Sequence, residues 1–122
     1  LLNFGHTIGH AIEKAKNFSL THGECISLGM VAAAFISWKR DKISMETYYE
    51  VRDMFVPFYL PISIDDIDAQ EILKLTKSDK KAEAGTIKFI LLNRIGQAVI
   101  DKTVTDEEIL EALKEIIFVE ED

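Results

Sequence analysis

Cysteine is nearly missing from this chain: Cys25 stands alone in 122 residues. A single thiol excludes an internal disulfide and fits a reducing, cytoplasmic setting. Lying early in an apolar helical stretch, Cys25 is expected to be buried and inert. Long apolar runs are missing too. The longest uncharged one, Leu28 to Ile36, falls well short of the roughly 20 residues a membrane-crossing helix needs. No signal-peptide pattern opens the sequence. Positive charge is in deficit: 14 Lys and Arg stand against 21 Asp and Glu, a net charge of −7. That argues against nucleic-acid binding, which requires a basic footprint. It leaves room for a small anionic substrate, because a local basic pocket fits inside an acidic protein. Internal repeats and low-complexity tracts are absent. What remains is one domain's worth of globular chain, 48% hydrophobic and 29% charged, enough for a core of its own.

Histidine is scarce but concentrated. All three histidines, His6, His10 and His22, fall between Leu1 and Glu24. Ala11, Ile12, Glu13, Lys14 and Ala15 predict a helix there, and the i, i+4 spacing of His6 and His10 puts both imidazoles on one face. Gly5 and Gly9 precede them at the same spacing, each weakening a helix by about 1 kcal/mol relative to alanine. That cost points to close approach of another helix or of a ligand. Thr21-His22-Gly23-Glu24 reads as a capping box, with His22 opening the next helix. A short polar loop, Asn17 to Leu20, would fold that helix back alongside the first. Three neutral imidazoles brought together would suit a divalent transition metal, zinc above all. The pattern is not the HExxH of metalloproteases, since Thr7 and Ile8 follow His6 and no carboxylate lies between the histidines. Taken singly, a histidine is usually an ordinary structural or solvated side chain, and two at i, i+4 often occur by accident.

Downstream, Ile26 to Trp38 is apolar nearly all round, the mark of a central helix. Ser44 caps a third helix over Met45 to Val56, with Tyr48, Val51, Met54 and Phe55 inward and Pro57 ending it. Phe58-Tyr59-Leu60-Pro61 is expected to cross the core, pinned by its aromatics. Asp68 to Glu71 reads as a capping box for a helix with Ile72, Leu73 and Leu75 on its inner side. Ile87 to Leu92 and Ala98 to Ile100 predict a small hairpin about Asn93 to Gly96. Thr105 to Glu108 caps a last helix bearing Ile109, Leu110, Leu113, Ile116 and Ile117. The fold class is mainly α with one small β-hairpin, in a single domain over residues 1–122.

Asn3-Phe4-Gly5-His6-Thr7-Ile8-Gly9-His10-Ala11-Ile12-Glu13, with His22-Gly23-Glu24 and Gly29-Met30-Val31-Ala32-Ala33-Ala34, resembles the C-terminal domain of the 3-dehydroquinate synthases. The resemblance continues through Leu60-Pro61, Asp79-Lys80-Lys81, Gly85 to Phe89 and Leu91 to Gly96, in order along nearly the whole chain. It implies the helical half of a cytoplasmic, homodimeric shikimate-pathway lyase of aromatic amino acid biosynthesis. Such an enzyme uses NAD and zinc (or cobalt) to convert the phosphorylated keto-acid DAHP into 3-dehydroquinate with loss of phosphate. The resemblance also assigns roles. His6 and His22 match the family's histidine zinc ligands, whose third partner is a glutamate in an N-terminal domain not present in this sequence. His10 matches a substrate-contacting histidine near the phosphate, available for proton transfer, and would otherwise be a supporting imidazole. Asn3 matches a substrate-binding asparagine. Lys80 and Lys81 match a pair of which one lysine binds the anionic substrate. Glu13 and Glu24 are motif positions, Glu24 being explained as a cap; Gly5 and Gly9 read as clearance for substrate or cofactor.

A chain that begins on its most informative motif without an initiating methionine reads as a fragment missing an NAD-binding half. It is expected to bind metal weakly and to be silent alone. Three rivals remain: another sugar-phosphate cyclase making deoxy-inosose or valiolone, a glycerol dehydrogenase-like metal enzyme, and a non-catalytic module using Ile26 to Trp38 as a partner surface.

Overall fold

The computed structural model describes residues 6–78, 89–94, 97–101 and 104–118. Among the described residues five helices carry the fold: α1 (His6–Ala15), α2 (His22–Lys39), α3 (Met45–Asp53), α4 (Ala69–Ser78) and α5 (Asp106–Ile116). Helix α2 is the axis. Helices α1, α3 and α5 all pack on it, while α4 closes the remaining side against α1 and α5. The residues of α2 explain this position. Cys25, Leu28, Ala32, Ala33 and Ala34 are fully buried, with Val31 and Ile36 almost so, and the small side chains admit neighbours from several directions at once. The apolar helix is therefore core, and an interaction module that used it as an exposed face has lost its surface.

The helix ends follow local chemistry. At α2 the Glu24 amide donates to Thr21 Oγ1 at 3.1 Å and the Thr21 amide to Glu24 Oε1 at 2.8 Å, a complete capping box. Thr105 and Glu108 do the same for α5. Ser44 accepts from the Thr47 amide at α3. At α4 Asp68 Oδ1 instead takes the amide of Gln70, at 3.1 Å, one position short of the expected box.

Two expectations for the middle of the chain need correction. Helix α3 stops at Asp53, three residues early, and Met54 is half exposed, although Phe55 is buried. A 3-10 turn, Val56–Phe58, takes over around Pro57, whose ring disfavours α-helical backbone in the residue before it. Tyr59 closes that turn in the left-handed region (φ 60°), its amide donating to Val56 O at 3.0 Å. The consequence is that Phe58 and Tyr59 face solvent, 74% and 94% exposed. They do not pin the segment. A side-chain hydroxyl on α2 does: Ser27 Oγ lies 2.8 Å from the carbonyl oxygens of both Glu24 and Pro61. Further on, Ile64 bridges in parallel to Ile117, its amide donating to Ile116 O at 2.7 Å.

Around α3 the core is aromatic. Fully buried Tyr48 stacks on Trp38 at 5.3 Å and meets Phe35 edge-on at 5.7 Å. Its hydroxyl donates to Glu115 Oε1 at 3.2 Å, which ties α3 to α5. Between α4 and α5, β1 (Phe89–Arg94) and β2 (Gln97–Asp101) pair antiparallel from Phe89↔Asp101 to Arg94↔Gln97, with an irregularity between Leu92 and Arg94. No third strand joins them among the described residues, so the architecture remains mainly α. No described helix is long and apolar enough to cross a membrane.

Candidate metal and substrate site

The site is built where α1 turns back into α2. Asn17 and Phe18 both take left-handed backbone (φ 55° and 59°), a conformation natural to asparagine and uncommon for phenylalanine. The Phe18 amide donates to Glu13 O at 2.8 Å, closing the end of α1. Across the turn Glu13 meets His22, while a turn earlier Gly9 meets Cys25 and Ile26. Contacts that rise on one helix as they fall on the other make the pair antiparallel.

Gly9 sets the spacing. A Cβ placed there would lie 2.8 Å from the Cys25 carbonyl oxygen and 3.0 Å from Ile26 Cδ1. The close approach anticipated from the glycines is therefore that of the neighbouring helix's backbone. This corrects the reading of Gly9 as clearance for substrate or cofactor; Gly5 lies outside the described residues.

This spacing lets one carboxylate serve two imidazoles. Glu13, only 8% exposed, puts Oε1 3.0 Å from His22 Nδ1 and 3.7 Å from His10 Nδ1. The first is a hydrogen bond; the second is an electrostatic contact beyond hydrogen-bond reach. The imidazoles are accessible above it, His22 with 62% and His10 with 39% of the side chain exposed. In the sequence Glu13 stands out only as a motif position. The available signal was its i+3 spacing from His10 on the face turned to α2.

The expected site residues divide clearly. His10 and His22 are brought together. His6 opens α1, one turn and about 6 Å of helix rise before His10, with its side chain outside what is described. Asn3, Lys80 and Lys81 lie outside the described residues. Among the described residues no three His, Cys, Asp or Glu side chains form a metal-holding group. The donors present fit part of a zinc site, since an imidazole held at Nδ1 by a carboxylate is how metal-binding histidines are usually oriented. They do not by themselves complete one, as stable sites have three or four protein ligands.

Cys25, one turn after His22 on α2, is fully buried. Burial first, then the Glu13 and Glu24 carboxylates, push its thiol up to about 11. Elsewhere an open cleft of about 840 Å³ is lined by Asp65, Asp66, Asp68 and Glu71 beside Ala15 and Ile117. It contains neither histidine, and its carboxylates repel an anionic substrate.

Comparison with known proteins gives a consistent picture. The family model for the 3-dehydroquinate synthase C-terminal region matches residues 1–82. The chain is 38% identical over 116 residues to the 3-dehydroquinate synthase of Dehalococcoides mccartyi strain BAV1, covering 95% of this chain and 32% of that one. It is 38% identical over 110 residues to the 3-dehydroquinate synthase of Ruminiclostridium cellulolyticum, covering 90% and 30%. It thus spans about a third of the length of these curated relatives. Among solved structures, a 2-epi-5-epi-valiolone synthase from Streptomyces hygroscopicus with NAD+ and Zn2+ bound superposes with a TM-score of 0.84 at 24% identity, over 93% of this chain and 32% of that one; this is a likeness of fold. A 2-deoxy-scyllo-inosose synthase complexed with carbaglucose-6-phosphate, NAD+ and Co2+ superposes at 0.73 with 26% identity, over 93% and 32%.

Proposed function

Because the chain belongs to the 3-dehydroquinate synthase C-terminal family, we propose that it is the metal- and substrate-holding part of an enzyme that converts DAHP to 3-dehydroquinate with release of phosphate. The observation that carries the reading is the meeting of His10 and His22 at one buried carboxylate, inside the stretch the family model covers. His6 and His22 hold zinc or cobalt, together with a ligand from outside this chain. NAD binds in a second half of the protein, also outside it. When bound, these two supply a Lewis acid for a substrate hydroxyl and an acceptor for hydride.

This chain's own residues do the rest. His10 stands beside the bound substrate and moves a proton as phosphate departs. Asn3 hydrogen-bonds the substrate, and one of Lys80 and Lys81 offsets the charge on the anion. The intact enzyme is a cytoplasmic homodimer of the shikimate pathway. The 122-residue chain alone holds metal weakly and does not turn over.

Phosphate release from DAHP, with NAD and zinc supplied to the intact gene product, tests the proposal. His10→Ala should lower turnover by about 10²- to 10⁴-fold, the range of a lost general acid or base. His22→Ala should abolish zinc retention. Absence of phosphate release from DAHP would overturn the assignment. Cyclisation of a different sugar phosphate would move the protein to a related cyclase, a reading that the inosose synthase likeness keeps in view. Hydride transfer without phosphate loss would move it to a glycerol dehydrogenase-like activity. Measurable turnover by the 122-residue chain would remove the need for a second half.

A further inference from the structure

The geometry points to Glu13 as the positioning residue of the site: its carboxylate selects the tautomer of His22, which would leave the Nε2 lone pair to a metal, and sets that imidazole on the same oxygen that His10 approaches. This deepens the reading above and rests on His22 being a metal ligand.

The argument begins with cost. Glu13 lies on the face of α1 turned to α2 and is 8% exposed. Removing a carboxylate from water is expensive unless a hydrogen-bonding or charged partner replaces the solvent. For packing alone, an apolar side chain of similar length would serve better at the same place. Among the described residues, the groups that meet this carboxylate are His22 at 3.0 Å and His10 at 3.7 Å, both through Oε1. The placement makes sense only together with the imidazoles.

The chemistry then follows from donor and acceptor rules. An ionised carboxylate only accepts, so the 3.0 Å contact requires His22 Nδ1 to carry the hydrogen. In the neutral ring that leaves the lone pair on Nε2, the nitrogen a metal would take. Loss of the carboxylate removes the acceptor that holds the Nδ1 hydrogen, so the other tautomer, whose Nε2 is protonated and cannot ligate, gains population. Rotation about the side-chain bonds would widen as well, since His22 is 62% exposed on the first residue of α2. The Gly9 contact one turn earlier, with its 2.8 Å Cβ limit, keeps α1 near enough for the carboxylate to reach. Glu13 acts through His22; it is a positioning residue and does not touch substrate.

The experiment uses the intact gene product carrying Glu13→Gln, Glu13→Ala or His22→Ala, with zinc alone as probe. Zinc affinity is read by competition with a chelator, the His22 tautomer by 15N NMR of the zinc-free protein, and folding by thermal melting. Glu13→Ala should weaken zinc binding by about 10- to 100-fold, the usual effect of losing the partner that orients a ligand, and should redistribute the His22 tautomer. Glu13→Gln should fall between wild type and Glu13→Ala, because its amide oxygen still accepts from Nδ1. Should the alanine variant fail to fold, the near-isosteric glutamine variant carries the test through the same two readouts. Wild-type zinc affinity and an unchanged tautomer in the Glu13 variants, with zinc lost in His22→Ala, overturn the inference and leave the proposed function standing. Wild-type affinity in His22→Ala removes His22 as a ligand and takes down the inference together with the metal-holding role it rests on, while the phosphate-release assay decides the reaction separately.

Discussion

Gly9→Ala is the most exacting test of how this site is held. The added methyl carbon would sit 2.8 Å from the Cys25 carbonyl oxygen, 3.2 Å from its carbon and 3.0 Å from Ile26 Cδ1. The isoleucine tip can rotate away. The carbonyl cannot, because it belongs to the backbone of α2, the central helix. Relief therefore requires α1 and α2 to separate by several tenths of an ångström. Overpacking of this kind costs about 1–3 kcal/mol. Against it stands a gain of about 1 kcal/mol from replacing glycine by alanine within a helix. The net expectation is a loss of about 1 kcal/mol, a fall of a few degrees in Tm for a domain of this size. Separation should also stretch the 3.0 Å Glu13–His22 bond one turn away, so zinc affinity falls alongside stability. Gly23→Ala is the control. A Cβ there meets only Leu60 Cδ2 at 4.0 Å, and stability should hold or rise by a few tenths of a kcal/mol. Urea and thermal denaturation of both variants, with chelator competition for zinc, provide the comparison. If Gly9→Ala gains the full helix-propensity increment and keeps wild-type zinc affinity, the reasoning about the helix contact is wrong.

Three other outcomes are expected. Arg40 grips Glu108 with Nε to Oε2 at 2.6 Å and Nη2 to Oε1 at 2.8 Å, and this contact first, then the Thr105 cap, hold the Glu108 carboxyl below its usual range. A depressed folded-state pKa gives stability that is present above about pH 4.3, the ordinary glutamate value, and lost as pH falls through the lower folded value. Arg40→Met should thus cost about 1–3 kcal/mol at neutral pH, and its stability curve should converge on that of wild type in acid; parallel curves down to the acid transition would contradict this. Cys25, fully buried and with its thiol pushed up to about 11, should resist a thiol reagent at pH 8 until the protein unfolds, and prompt labelling of native protein would refute that. Thr21→Ala removes the acceptor of the Glu24 amide and should cost about 1 kcal/mol in thermal or urea denaturation; an unchanged melt would mean that α2 does not depend on its cap.

What could be read from sequence was whatever acts within one helical turn. The starts of α2 and α5 are written in Thr21-to-Glu24 and Thr105-to-Glu108, because a capping hydrogen bond spans three residues. The central place of α2 is written in its all-round apolar surface. The motif holding the three histidines was visible as well, and with it the family. Local rules failed where a distant partner decides. Phe58 and Tyr59 look like anchors in sequence, yet the turn closed by left-handed Tyr59 sends both to solvent. Gly9 looked like room for a ligand and proved to be room for a carbonyl sixteen positions along the chain, at Cys25. Glu13 looked incidental beside the histidines. Only the antiparallel register of α1 on α2, fixed by packing that involves residues far apart in sequence, shows that its carboxylate is the point where two imidazoles meet. The sequence determined which side chains could do chemistry and where each helix begins. Tertiary structure decided which of them touch, because side-chain order along a chain carries no distance until the helices have packed.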